Sequence, residues 1–186
     1  QRSQDQASAH ERAWDLIGIG ECLIEFTSVG DGLYRLGHSG DVLNALSAAG
    51  RLGMRTGLIS ATGDDPFGPG LREILMAEHI DLTHTPVLAG LPNGVYFSEV
   101  DANGIPHFHF LRKHSAGTQT FVRQSLEALI AYVRSSRALL FSSIPLAVMA
   151  ERGRIVELME AVRPDTIVAF DLNYRPALWP KPAELI

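Results

Sequence analysis

Apolar residues fall along this chain in two rhythms. Short unbroken runs, Trp14 to Gly20, Thr56 to Ala61, Ala138 to Ser142 and Thr166 to Asp171, read as buried strands of the parallel-sheet kind. Between them, apolar positions recur at helical spacing. Val42, Leu43, Leu46, Ala49 and Leu52 form one stripe, opened by Ser39, Gly40 and Asp41 as helix-start residues. Leu71, Ile74, Leu75 and Ile80 form a second, with Asp65 as its cap and Pro66 at the first helical position. A third stripe is Val122, Leu126, Leu129, Ile130 and Val133 within Phe121 to Val133. The fourth is Ile155, Val156, Leu158 and Met159 within Val148 to Val162. Strand, helix and strand in succession predict an α/β chain.

Residues 93–112 follow a different period. Val95 to Val100 and His107 to Arg112 alternate, and Asp101-Ala102-Asn103-Gly104 between them is a strong turn signal, so an antiparallel hairpin is predicted. Period two puts His107, His109 and Leu111 on one face and Phe108, Phe110 and Arg112 on the other. Two histidines at that spacing are able to hold zinc, but no third ligand lies nearby in the sequence, and a solvated or interface strand face is the favoured reading. Leu23 to Phe26 continues extended after the first strand, ahead of a loop containing Gly30 and Gly32.

With 186 residues, 46% of them hydrophobic and 20% charged, the chain suffices for one sizeable core. No apolar run approaches the roughly 20 residues of a membrane span, and Gln1 to Arg12 reads as a disordered polar tail rather than a secretory signal. A cytoplasmic location follows as the expectation. The single cysteine, Cys22, excludes an internal disulfide and a Cys-rich metal site. The formal net charge of -5 argues against non-specific nucleic-acid binding, while leaving room for a local arginine pocket.

Candidate chemistry gathers at a few points. At the helix start, unpaired amides together with Gly40, Asp41 and Asn44 suit a polar small molecule. Gly18-x-Gly20 lacks the third glycine and the helix of a dinucleotide fingerprint. Asp64-Asp65 fits a helix cap better than a metal site. Asp171, Asn173 and Arg175 follow a strand, where ligands collect in open α/β sheets; a surface salt bridge is the alternative for Arg175. Pro180 to Ile186 starts a helix too short to hold itself together. The chain is therefore expected to be the N-terminal part of a larger protein, or to be completed by a partner chain.

Several segments in joint order resemble the ribokinase-like, or PfkB, carbohydrate kinases. They are Gly20-Glu21-Cys22-Leu23-Ile24-Glu25, Gly40-Asp41-Val42-Leu43-Asn44, Gly63-Asp64-Asp65-Pro66-Phe67-Gly68, Gly94-Val95-Tyr96, Arg112-Lys113-His114-Ser115-Ala116 and Asp171-Leu172-Asn173-Tyr174-Arg175-Pro176 with Leu178-Trp179. The last two segments favour the branch acting on 2-keto-3-deoxygluconate. The resemblance implies a doubly wound, mostly parallel sheet with helices on both faces, spanning residues 13–186 and incomplete here. It also implies a small antiparallel β lid at about 23–37 and 93–112, a lid that in the family often makes a homo-oligomer contact. By the same resemblance Gly40, Asp41 and Asn44 would hold sugar hydroxyls, Tyr96 would reach down from the lid, and Arg112 and Arg175 would meet the carboxylate of a sugar acid. Glu21 and Glu25 would join them.

The implied activity is ATP-dependent phosphorylation of the terminal hydroxyl of 2-keto-3-deoxygluconate or a similar sugar acid. The alternatives are a kinase for a neutral sugar of the fructose or ribose type and a non-catalytic sugar-binding module. Three positions depart from the family pattern: Ser39 and Ser143 stand where glycines are usual, and Phe110 where a lid tyrosine is usual. No Gly-Ala-Gly-Asp segment, which in the family supplies the anion hole and the catalytic base, occurs in these residues. The catalytic base and the sites for ATP and Mg2+ are accordingly expected beyond Ile186, which would leave this chain alone inactive.

Overall fold

A computed structural model describes residues 12–179 and 181. The elements in chain order are β1 (Trp14–Ile19), β2 (Leu23–Gly30), β3 (Leu33–Ser39), α1 (Asp41–Arg51), β4 (Thr56–Ile59), β5 (Thr62–Gly63), α2 (Gly68–Ala77), β6 (Ile80–Asp81) and β7 (Val87–Leu88). They continue with β8 (Gly94–Val100), β9 (Pro106–Leu111), a 3-10 turn (Ala116–Gln119), α3 (Leu126–Arg134), β10 (Ser136–Ser142), α4 (Ser143–Val148), α5 (Gly153–Val162) and β11 (Ile167–Asp171). The central sheet has the order β11-β10-β1-β4-β6 and every pairing in it is parallel. Strand order reverses between β1 and β10, the signature of a doubly wound sheet.

Alternation along the strands divides the core into two layers. Ile17, Ile19, Leu139 and Phe141 face Leu129 and Val133 of α3 and Ile155, Leu158 and Val162 of α5. On the opposite face Leu16, Leu58 and Leu140 meet Val42, Leu43 and Leu46 of α1 and Leu71 and Leu75 of α2. Gly18 and Gly20 explain how α1 comes so close: a Cβ at Gly18 would lie 2.4 Å from Val42 Cγ1, and one at Gly20 would lie 2.8 Å from Val42 Cβ. Their spacing serves helix-on-strand packing, not a nucleotide. No helix among the described residues is long and apolar enough to cross a membrane.

The second sheet has the order β3-β2-β8-β9. It joins two antiparallel hairpins, β2 with β3 and β8 with β9, through a parallel pairing of β2 with β8. The turn between β2 and β3 uses left-handed backbone at Gly30, Asp31 and Gly32. Thus the predicted loop around Gly30 and Gly32 is the tip of a longer hairpin. β3 escapes a periodicity reading because Leu33-Tyr34-Arg35-Leu36 is mostly exposed and does not alternate.

Several boundaries differ from the sequence expectation. The strand predicted over Thr56 to Ala61 ends at Ile59, and the short β5 that follows at Thr62 leaves the main sheet to pair with β7. Asp65 does cap the approach to α2, accepting from Phe67 N and Gly68 N at 3.0 and 3.1 Å, but the helix begins at Gly68 with Pro69 in its first turn. Ile74 is exposed, and Ile80 is buried on β6 rather than on the helix. Leu52 ends α1 at its C-cap, 85% exposed. Phe121 is buried by tertiary contacts ahead of α3, which starts only where Ser125 caps it, and Val122 is exposed. The stretch Val148 to Val162 is not one helix, because α4 and α5 are separated by a turn, and Val156 of α5 is exposed. Residues 1–11 and the stretch from Pro180, Lys181 apart, lie outside the described residues. Arg12 belongs to the fold: it donates to the carbonyls of Arg134, Ser136 and Asp165.

Candidate active site: a cavity at the strand switch

A cavity of about 660 Å³ opens at the carboxyl ends of β1 and β10, where strand order reverses. Gly40, Asp41, Asn44, Tyr96, Arg112 and Arg175 all line it, together with Glu21 and Glu25. Leu23, Ser39, Phe108, Phe110, Ile144, Ala177 and Leu178 complete the lining. Six separate segments of chain therefore converge here.

Gly40 caps α1 in extended conformation, and a Cβ there would meet the Glu21 carbonyl oxygen at 2.2 Å. The close approach that this glycine permits is with the loop after β1. Asp41, next in sequence, is fixed from two sides: its Oδ2 accepts from Ser142 Oγ and, at 3.0 Å, from Asn173 Nδ2. Ser142 ends β10 and Asn173 follows the neighbouring β11, so the helix start is tied across the switch. Asn173 acts through Asp41 and does not itself line the cavity, while Asp171 closes its own turn by accepting from Asn173 N at 3.0 Å. Ser142 was invisible to sequence reading, since a serine at a strand end carries no signal until its partner is known. Asn44 is exposed and donates to Ser39 Oγ at 3.3 Å.

From the second sheet comes an aromatic wall. Tyr96 stacks on Phe110 with ring centroids 5.3 Å apart, Phe108 is tilted against both, and the Arg112 guanidinium lies 4.6 Å from the centre of the Phe110 ring. The face predicted for Phe108, Phe110 and Arg112 is the one turned to the cavity. Tyr96 is buried, which pushes its phenol up to about 12; a hydrogen bond with Ser39 opposes the rise and one with Glu25 adds to it. It enters any reaction at neutral pH as a neutral hydroxyl.

Charge is unevenly matched. Arg112 Nη1 pairs with Glu21 Oε2 at 2.8 Å, and the two side chains are 13% and 3% exposed. Burial raises the Glu21 carboxyl above its ordinary value, Arg112 opposing the shift and Asp41 adding to it. Arg175 is exposed at the rim and, among the described residues, its side chain has no hydrogen-bond or ion-pair partner. An unpaired guanidinium on a concave surface is suited to a carboxylate or phosphate.

The other candidates have structural partners. Asp64 accepts from Gly90 N, and Asp65 accepts from Asn93 N and Nδ2, both at 2.7 Å, besides its capping bonds. His107 pairs with Asp101 at 3.1 Å on the exposed hairpin. Among the described residues no group of three or more His, Cys, Asp and Glu is placed to hold a metal ion.

Known proteins resemble this chain in sequence and fold. The model of the pfkB family carbohydrate kinases matches residues 16–186. The 2-dehydro-3-deoxygluconokinase of Thermoproteus tenax is 34% identical over 175 residues, a match covering 89% of this chain and 52% of the relative. The crystal structure of a PfkB protein from Polaromonas superposes with a TM-score of 0.82 at 26% identity, over 93% of this chain and 60% of that one. A sugar kinase from Pyrococcus horikoshii in complex with ATP gives 0.78 at 27% identity, over 91% and 56%. The chain thus spans about half the length of the curated relatives it matches. The doubly wound sheet, the cavity at its strand switch and the match over all but the first 15 residues lead to one conclusion: this chain belongs to the PfkB family of carbohydrate kinases.

Proposed function

We propose that this chain is the sugar-binding part of an ATP-dependent kinase that phosphorylates the terminal hydroxyl of 2-keto-3-deoxygluconate or a closely similar sugar acid. The observation that carries this reading is the pair of guanidiniums on one cavity, Arg112 against Phe110 and Arg175 at the rim without a partner. A neutral sugar has no use for two cations, whereas a sugar acid offers a carboxylate that both are able to clamp. In this proposal Asp41 and Asn44 select hydroxyls as acceptor and amide, Gly40 keeps the backbone close, and Tyr96 closes over the sugar as a neutral hydroxyl. The named activity of the Thermoproteus tenax relative supports the substrate, and the ATP complex of the Pyrococcus horikoshii kinase supports the phosphoryl donor.

The division of labour follows from the residue inventory. Phosphoryl transfer needs a base on the attacking hydroxyl and charge neutralisation around the phosphates, which ATP-bound Mg2+ supplies in part. The described residues hold no such cation cage, so no step through the metal is assigned to them. Binding and orienting the sugar are the tasks proposed for this chain. The four-stranded sheet is proposed as the lid, and its exposed Tyr34, Leu36 and Leu111 as subunit contacts. A coupled ATP assay on the full-length protein, run across 2-keto-3-deoxygluconate, gluconate, fructose and ribose, tests the reading. Turnover is expected with the first; fructose or ribose as the preferred substrate, or no turnover with any of the four, would refute it.

A further inference from the structure

Five charged side chains share the cavity: the carboxylates of Glu21, Glu25 and Asp41, and the guanidiniums of Arg112 and Arg175. With all of them ionised the site is net negative before an anion arrives, and Arg112 is already engaged. One carboxylate has to yield its charge for a sugar acid to bind well. Asp41 is unsuited to that, because two donors converge on its Oδ2. Glu25 is only half-buried and accepts from Thr27 Oγ1 at 2.8 Å. Glu21 differs from both: it is 3% exposed and, among the described residues, Arg112 is its one donor and its buried Oε1 has no hydrogen-bond partner. A buried, bare oxygen disfavours the ionised form and is costly unless the group takes up a proton.

Resting on the sugar-acid reading, we propose that Glu21 is the positioning residue that sets the preference for acids. It holds Arg112 in place while the cavity is empty, then takes up a proton as the substrate carboxylate arrives, releasing the guanidinium to the ligand. The groups facing it allow few other sources for that proton linkage. Arg112 follows β9, Asp41 begins α1, and Gly117 of the 3-10 turn presents its backbone beside Glu21 Cγ at 3.3 Å from an added Cβ. Cys22, adjacent in the chain, is a buried thiol pushed up to about 12 and stays neutral. Glu25 and Arg175 line the same cavity, and among the described residues no histidine lines it. Burial and the Asp41 charge already raise the Glu21 carboxyl, and a bound carboxylate acts in the same direction.

The experiment is calorimetric titration of the full-length protein, without ATP, with 2-keto-3-deoxygluconate and separately with fructose, in two buffers of different ionisation enthalpy and over a range of pH. Wild type is expected to take up protons with the acid and none with fructose, its affinity for the acid falling by up to about tenfold per pH unit over the range where Glu21 is ionised in the empty site and protonated in the liganded one. Glu21→Gln is expected to abolish both the uptake and the slope, which a merely structural role would leave in place. Acid binding by wild type without proton uptake, or a slope retained in Glu21→Gln, overturns the inference and leaves the sugar-acid reading standing. No acid binding at any pH overturns both. If Glu21→Gln does not fold, the wild-type difference in proton uptake between acid and fructose decides alone.

Discussion

Replacing Arg175 by alanine isolates the charge that the proposed substrate needs. The side chain is exposed and has no ion-pair or hydrogen-bond partner among the described residues, so its removal breaks nothing in the fold. Its main-chain carbonyl, which accepts from Leu178 N at 2.9 Å and Trp179 N at 3.1 Å, is untouched by the substitution. Stability should therefore move by no more than about 0.5 kcal/mol. Binding is another matter. A hydrogen bond to a charged group contributes roughly 1.5–3 kcal/mol, and the lower end applies at an exposed rim where solvent screens the pair. At about 1.4 kcal/mol per decade, affinity for 2-keto-3-deoxygluconate should fall about 10-fold, and 100-fold at most. Fructose, which has no carboxylate, should lose less than about twofold, within the usual scatter of a surface substitution. Titration calorimetry of both ligands beside thermal melting separates these effects. An equal loss for fructose and the acid, or an unchanged affinity for the acid, would refute the assignment of Arg175 to a carboxylate.

Three further outcomes are expected. Phe110→Tyr puts a phenol on a ring already stacked against Tyr96 in the cavity wall, and the added hydrogen bond should tighten sugar-acid binding by about 2- to 10-fold, or 0.5–1.5 kcal/mol, by calorimetry. In the core, Gly57→Ala would bring a Cβ to 2.0 Å from the Tyr132 hydroxyl, which donates to Asp81 Oδ1 at 2.6 Å; denaturant unfolding should show a loss of about 1–3 kcal/mol, largely relieved in the Gly57→Ala, Tyr132→Phe double variant. Finally, a carboxyl raised in the folded state stabilises the fold below its unfolded value and loses that contribution as pH rises through the folded value. The melting temperature of wild type should accordingly fall relative to Glu21→Gln as pH climbs from 4.5, the ordinary glutamate value, and a constant gap would contradict the raised carboxyl.

What local pattern shows is packing, and it shows it where one face of an element is continuously buried. The start of α1, the four long parallel strands and the β8 to β9 hairpin were legible on that basis. Phe121 and Val122 show where it stops: they belong to no helix, and tertiary packing buries one and leaves the other exposed. Val148 misled in a similar way, because two short helices in succession mimic one apolar period. The site was harder. No window of sequence contains both Glu21 and Arg112, which are 91 positions apart, and only the order of family motifs brought Gly40, Tyr96 and Arg175 into one reading. Asn173 stood out by its place after a strand, but its role of fixing Asp41, and Ser142 altogether, were beyond reach, since each contributes a hydrogen bond whose partner lies on a distant element.

That distant bonding has a consequence in time. Asp41 waits for Ser142, 101 residues later, and for Asn173, 132 residues later. At synthesis rates of about 5–20 residues per second, helix α1 would leave the ribosome roughly 5–30 s before the residues that hold its first carboxylate exist. Through that interval the most polar corner of the nascent sheet has water for its only partner. The proposed sugar site is thus among the last parts of this chain to become rigid, and sugar present during refolding should speed the closing step rather than the early collapse.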